Sequence, residues 1–170
     1  MRFPVMMMVC AVAVTVVGVS VCLHPTPRLI WNASASVPIG FYLVRPIGAL
    51  RVDDLVVVTP PEPLADVLSD RGYLPKGVPL LKRIAALPGQ TVCRLDRTIT
   101  VDRNAAGEAL IRDQRGRALP VWQGCRTVRT GEVFLMNRLR GDSLDGRYFG
   151  PLPTTAIIGQ AKPLWTEKDH

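Results

Sequence analysis

Histidine is nearly absent from this 170-residue chain. There are two, His24 just past an apolar leader and His170 at the C-terminus. Neither is well placed to be the imidazole of a Ser-His-Asp triad, which must be held rigidly against its nucleophile, so serine chemistry here points to a lysine base. Cysteine is scarce as well. Cys10 and Cys22 lie in the leader and read as small apolar residues, leaving Cys93 and Cys125 as one pair. Without a CxxC or a Cys/His cluster the sequence offers no zinc site, and no metal or cofactor is expected. Aromatic residues are 6% of the chain and do not interleave with its scattered arginines, so no stacking platform for nucleic acid is expected. The net charge of +7 reads instead as a solvated basic surface that also suits an anionic membrane face.

What is present begins with an apolar run. Val5 to Leu23 are nineteen consecutive residues without a charge, preceded by Arg2. As a helix rising about 1.5 Å per residue, this run reaches roughly across the ~30 Å hydrocarbon core of a bilayer. Residues 1–23 are therefore expected to be a signal peptide or a retained membrane anchor, and both place residues 24–170 on the exported side. In an oxidising compartment, Cys93 and Cys125 are expected to form a disulfide, the alternative being two free buried thiols.

The exported part is punctuated by proline and glycine, which disfavours long helices. Short β-rich runs recur at Gly40 to Val44, Leu55 to Thr59, Leu80 to Ala85, Thr91 to Leu95, Thr98 to Val101, Glu132 to Asn137 and Ala156 to Lys162. Only Glu62 to Arg71 reads as a helix, with Pro63 near its start and Gly72 as its stop. The expectation is a mainly β domain, a sheet or barrel, with one N-terminal apolar helix and one short surface helix. Residues 104–120, rich in charge, Gly and Ala, read as an exposed flap or hairpin within it.

Three clusters can carry chemistry. The first is Ser34-Ala-Ser36-Val-Pro38-Ile-Gly40-Phe-Tyr42. Pro38 biases Val37 toward extended geometry, so Ser36 sits on a rigid segment, and in an extended strand Ser34 would share its side. One hydroxyl then serves as nucleophile and the other as donor to an oxyanion. The second is Lys82 within Leu80-Leu-Lys82-Arg83-Ile84. With a pKa near ~10.4, about one lysine in a thousand is neutral near pH 7.4, but an apolar strand disfavours its charge and makes it a usable base. The third follows the apolar strand Val133 to Met136: Asn137 leads into Gly141-Asp142-Ser143-Leu-Asp145-Gly-Arg147-Tyr-Phe-Gly150. A serine there can hold the lysine amine, and a carboxylate paired with Arg147 can brace the loop. Each cluster alone is an ordinary turn or strand.

In this order the Lys82-Arg83-x-x-x-x-Pro88-Gly89 and Gly141-Asp-Ser143-x-Asp145-x-Arg147-Tyr-Phe-Gly150 boxes, together with the serine segment, resemble the signal peptidase I family of serine–lysine proteases, peptidase family S26. Pro38 two residues after Ser36, followed by Gly40 and Tyr42, is similar to the conjugative-transfer branch, the TraF proteins. The resemblance implies an S26-type serine peptidase domain over 24–170 with Ser36 as nucleophile and Lys82 as general base. It further implies an oxyanion role for Ser34, an orienting role for Ser143, and bracing by Asp145 and Arg147, with the aspartate counted in the active site. Pro38, Gly40 and Arg83 are supporting residues. By the same resemblance the substrate is a conjugative pilin precursor, cleaved at the inner-membrane surface among other pilus-assembly proteins, and cyclised where its own amine resolves the acyl-enzyme. The alternatives are a general leader peptidase and a non-catalytic pilus-assembly protein; intact Ser36, Lys82 and Ser143 stand against the latter.

Overall fold

A computed structural model describes residues 2–23 and 28–167, so His24 and His170 lie outside the described residues. The first helix, α1 (Arg2–Leu23), runs 22 residues, and its described side chains, at 4–19, are all exposed. Those positions are fewer than the roughly 20 a span requires, and among the described residues no helix is long and apolar enough to cross a membrane. The leader or anchor remains an expectation carried by the whole apolar run.

The rest builds from short antiparallel strands: β1 (Leu29–Asn32), β2 (Gly40–Arg45), β3 (Leu55–Val58), β4 (Leu80–Ala86), β5 (Thr91–Leu95), β6 (Thr98–Val101), β7 (Asn104–Glu108), β8 (Gly124–Thr127), β9 (Glu132–Leu135), β10 (Leu152–Pro153) and β11 (Ile157–Thr166). A seven-stranded sheet has the order β1-β2-β11-β3-β4-β9-β10, and a four-stranded sheet has the order β7-β6-β5-β8. The helices α2 (Glu62–Asp70) and α3 (Gly146–Phe149) complete the chain. The protein is mainly β, with its N-terminal helix in place.

Burial explains why the large sheet is ordered this way. All four residues of β3 are buried, and Val56, Val57 and Val58 have no exposed surface, so this strand must lie inside the sheet with both faces covered. It pairs with β4 in a register that sets Val56 opposite Lys82. Cores form on both sides: Val58, Ile84, Val133 and Ile157 pack together, while Val37, Tyr42, Val57 and Leu81 form another cluster. Fully burying such side chains contributes about 1.5–3 kcal/mol each before chain entropy is counted.

Several boundaries differ from the sequence expectation by one residue, and two differ by more, for physical reasons. The strand expected over 132–137 ends at Leu135. Beyond it, the side chain of Asn137 replaces the ladder, accepting from the Arg83 amide at 3.0 Å and donating to the Leu81 carbonyl at 3.2 Å. The strand expected to stop at Lys162 continues to Thr166, because its register shifts between Pro163 and Trp165 and the shift accommodates a proline that lacks an N–H.

The 104–120 stretch is exposed at its turns and docked at its base. Ala109 and Leu119 are buried against Tyr148. Its hairpin, bridged at Arg112 and Ala118, is tied to the end of α2 through Arg71, which donates to the Ala118 carbonyl at 2.6 Å. Asp113 accepts from Tyr73 Oη at 2.5 Å and from Arg117 Nε at 2.7 Å. These donors, Tyr73 first, hold its carboxyl well below the usual carboxylate range despite partial burial.

Cys93 and Cys125 are direct cross-strand partners on β5 and β8 and are disulfide-bonded, 32 residues apart in sequence. Closing a loop of that length is worth about 3–4 kcal/mol in the chain-entropy view. Replacing both cysteines with serine should lower unfolding stability by that order, and reduction of the unmodified protein should do the same. Urea titration with and without reductant checks this, and coincident unfolding curves would contradict it.

Candidate active site

The serine segment is wound around one buried side chain. Asn32, at the end of β1 and 6% exposed, accepts from the Ser34 amide at 3.2 Å and from Ser34 Oγ at 2.9 Å. Its Nδ2 donates to the carbonyls of Ser34 at 2.7 Å, Val37 at 3.0 Å and Pro38 at 3.1 Å. Tyr42 Oη adds a 2.6 Å bond to the Pro38 carbonyl. Of the turn and the extended segment that the sequence allows, residues 34–37 form the turn, because Asn32 gathers their backbone groups inward. The two hydroxyls still meet, Ser34 Oγ lying 3.1 Å from Ser36 Oγ. Gly40 opens β2 at φ 150°, where an added Cβ would fall 2.2 Å from the Trp165 carbonyl oxygen. A glycine is required there for β2 and β11 to close.

Lys82 projects from β4 into the interior and is 4% exposed. Its Nζ donates to Ser143 Oγ at 2.8 Å. Burial lowers its pKa from 10.5 to about 8; the Asp145 and Asp142 charges pull it up and the nearby Arg147 pushes it down. The next residue along the strand behaves differently. Arg83 is half-buried and sends its guanidinium to the Asp53 carbonyl at 2.9 Å.

Ser143 is placed by the loop that Asp145 and Arg147 brace. Arg147, 1% exposed, donates Nε to Asp145 Oδ1 at 2.9 Å and Nη2 to Oδ2 at 2.8 Å. It also reaches the carbonyls of Asn137, Arg140 and Gly141 at 3.3, 2.6 and 3.1 Å. Asp145 in turn caps α3 by accepting from the Arg147 amide and takes the Asn137 amide at 3.0 Å. Burial alone would lower the Arg147 pKa, but its bonds to Asp145 and that carboxylate's charge raise it on balance. Asp145 has no hydrogen bond to Lys82 among the described contacts, so its influence on the amine is through charge and through the loop.

Ser34, Ser36, Lys82 and Ser143 all line one cleft of about 520 Å³, floored by apolar side chains such as Leu68, Leu81 and Leu144. Within it, Ser36 and Lys82 are not hydrogen-bonded to each other in this structure. Pro38 and Arg83 line an adjoining hollow, while Asp145, Arg147 and Gly40 line neither. Three supporting residues carry no role in the sequence reading: Asn32, Asn137 and Arg94. Arg94, 2% exposed, donates to the Arg147 carbonyl at 2.6 Å. An asparagine two residues before Ser34 is a turn signal and is legible; the other two act across more than 50 positions, where no local pattern exists.

The signal peptidase family, peptidase S26, matches residues 2–165 of this chain. The conjugal transfer protein TraF of Agrobacterium fabrum (strain C58) is 34% identical over 145 residues, covering 79% of this chain and 81% of that protein. The plasmid transfer protein TraF of Escherichia coli is 33% identical over 147 residues with the same two coverages. A probable signal peptidase I-1 of Synechocystis (strain PCC 6803) is 35% identical over 111 residues, covering 65% of this chain and 52% of that one. With a family match spanning nearly its whole length, this chain belongs to the signal peptidase family, peptidase S26, whose members are serine-type peptidases.

Proposed function

We propose that this protein is a membrane-associated periplasmic endopeptidase with a Ser36/Lys82 dyad, which processes a pilin precursor during conjugative transfer. The observation that carries the reading is the dry Lys82 amine, held by Ser143 in the cleft that Ser36 also lines. The TraF names of its relatives support the conjugative context, and the apolar 5–23 run supports attachment at the inner membrane beside other pilus-assembly proteins.

In the proposed reaction Ser36 Oγ attacks the scissile carbonyl carbon while Lys82 Nζ takes its proton. The oxyanion forms near Ser34, whose hydroxyl turns from Asn32 to donate to it. The ammonium then returns its proton to the leaving amine as the C–N bond breaks, leaving an acyl ester on Ser36. Water releases a linear product. An amine of the same substrate, if positioned, forms an amide and closes a ring. With its pKa near 8, about one Lys82 in ten is neutral at pH 7, against fewer than one in a thousand for an unshifted lysine.

Ser36→Ala and Lys82→Ala should each abolish processing, by at least ~10³-fold, while the protein stays folded. Lys82→Arg should fail too, since guanidinium does not give up its proton near neutrality. Precursor turnover followed by mass spectrometry reads the loss, and wild-type rates in either alanine variant would end the mechanism. The same spectra decide the fate of the acyl-enzyme, because a cyclic product is one water lighter than the linear one.

The pH profile should follow the lysine. Acylation needs the neutral amine, so kcat/KM should climb through about pH 8 and level off above it; saturation already near pH 6.5 would indicate a histidine base instead.

Stability should bear the same mark. The folded state holds this proton more weakly than the unfolded chain does, about 8 against 10.5. Below pH 8 the fold bears the whole cost of a charged, dry amine, about 3 kcal/mol, and between pH 8 and 10.5 the cost fades as the folded state sheds the proton first. Lys82→Met removes that cost and leaves Ser143 one bond short, a loss of about 1 kcal/mol. Its Tm should therefore exceed that of the wild type at pH 7, with the gain shrinking toward pH 10. Marked destabilisation at pH 7 would make Lys82 a charged structural partner rather than a base.

A further inference from the structure

Ser36 stands on the wall between two clefts of opposite character. On one side lies the apolar cleft with Lys82. On the other, a cleft of about 370 Å³ is lined by Ser36 itself, Pro38, three arginines, Arg83, Arg138 and Arg140, and one carboxylate, Asp53. While the scissile C–N bond is still intact, a peptide under attack by Ser36 extends both ways from its carbonyl carbon. The Lys82 cleft takes one flank, and the basic cleft is the adjoining space for the other.

We propose that this second cleft binds an acidic stretch of the substrate next to the scissile bond, with Arg83 and Arg138 as the residues that select it. The proposal rests on the peptidase reading above, and deepens it by naming the substrate chemistry. Each of the two arginines is held by a single backbone bond that aims it: Arg83 Nη1 to the Asp53 carbonyl at 2.9 Å, and Arg138 Nη2 to the Ala85 carbonyl at 3.1 Å. A guanidinium carries five N–H donors, so each keeps several for a ligand. Among the described ion pairs neither is matched to a carboxylate. Fixed, fork-shaped donors without a partner anion suit carboxylates, and fixing them in advance lowers the entropy lost on binding. Leu139, between Arg138 and Arg140, also lines this cleft and is 94% exposed, so an occupant of the cleft would cover it. The Lys82 cleft shows no comparable charge, with Asp142 facing the lysine. The two clefts thus select an apolar flank and an acidic flank on either side of one bond.

The test separates binding from catalysis. Full-length protein carrying Ser36→Ala, in detergent, is titrated with two fluorescein-labelled octapeptides, Leu-Leu-Ala-Ala followed by four glutamates or four glutamines, and anisotropy is read. The glutamate peptide should bind about tenfold tighter at low salt, and the ratio should fall toward one at about 0.5 M salt. Arg138→Gln, at an exposed position, and Arg83→Gln should each reduce the ratio, with melting curves verifying the fold. Equal affinities in the parent, or a ratio that survives both substitutions, would overturn the proposal. Vesicles of phosphatidylcholine with phosphatidylglycerol supply the rival. If vesicle binding falls with the substitutions while the peptide ratio does not, the cleft faces lipid headgroups and the proposal is wrong. If the acidic preference holds but the Ser36 enzyme cleaves no precursor, the cleft stands and it is the Ser/Lys reading that fails.

Discussion

Arg147 directs all five of its N–H donors into the protein, onto Asp145 and onto the carbonyls of four other residues. A buried ion pair of this kind adds little net stability over an apolar replacement, because desolvating both charges offsets their attraction. Its effect is on geometry. Removing either partner would strand a charge at a cost of about 3–5 kcal/mol, so the loop from Asn137 to Asp145 has one arrangement available to it. That arrangement puts Ser143 Oγ against Lys82 Nζ.

The same pair leaves the lysine's charge adjustable. Burial acts most strongly on the amine; after it Asp145 favours the ammonium and Arg147, bonded to Asp145, opposes it. Burial is left as the deciding factor, and it favours the neutral amine. A carboxylate alone behind Lys82 would lock it into a permanent salt bridge. Bracing the loop and holding a dry amine are in this way handled by different residues. The serine side follows a similar plan with neutral groups, since Asn32 shapes the Ser36 turn without placing a charge beside that hydroxyl.

Much of this architecture is legible in the amino-acid sequence. The central strands and α2 can be read there because apolar runs between turn signals bury themselves wherever they are placed. Lys82 among Leu80, Leu81 and Ile84 is legible as a dry lysine for the same reason. The strands β1, β7, β8 and β10 are not legible: Leu29–Asn32 carries a single β-branched residue, β7 and β8 each contain a glycine and a charged residue, and β10 is two residues long, so they are strands only because a neighbour supplies the other half of the ladder. At Ser34–Ser36 a turn is legible as a signal, but its winding around the Asn32 side chain is not.

The amino-acid sequence by itself determined the chemistry available to this protein. It supplies serines and lysine but almost no histidine, a carboxylate and an arginine two residues apart, and one cysteine pair outside the N-terminal apolar run. Those are properties of residue type and local spacing, which survive in any conformation. The tertiary structure decided which of these groups meet. Lys82 and Ser143 are 61 positions apart, Arg94 and Arg147 are 53 apart, and Arg83, Arg138 and Ser36 come together around one cleft from three separate segments. Contacts over such separations depend on strand order and register, which only the packed sheet defines. For that reason the candidate site residues could be named from the chain, while the basic cleft beside them could not.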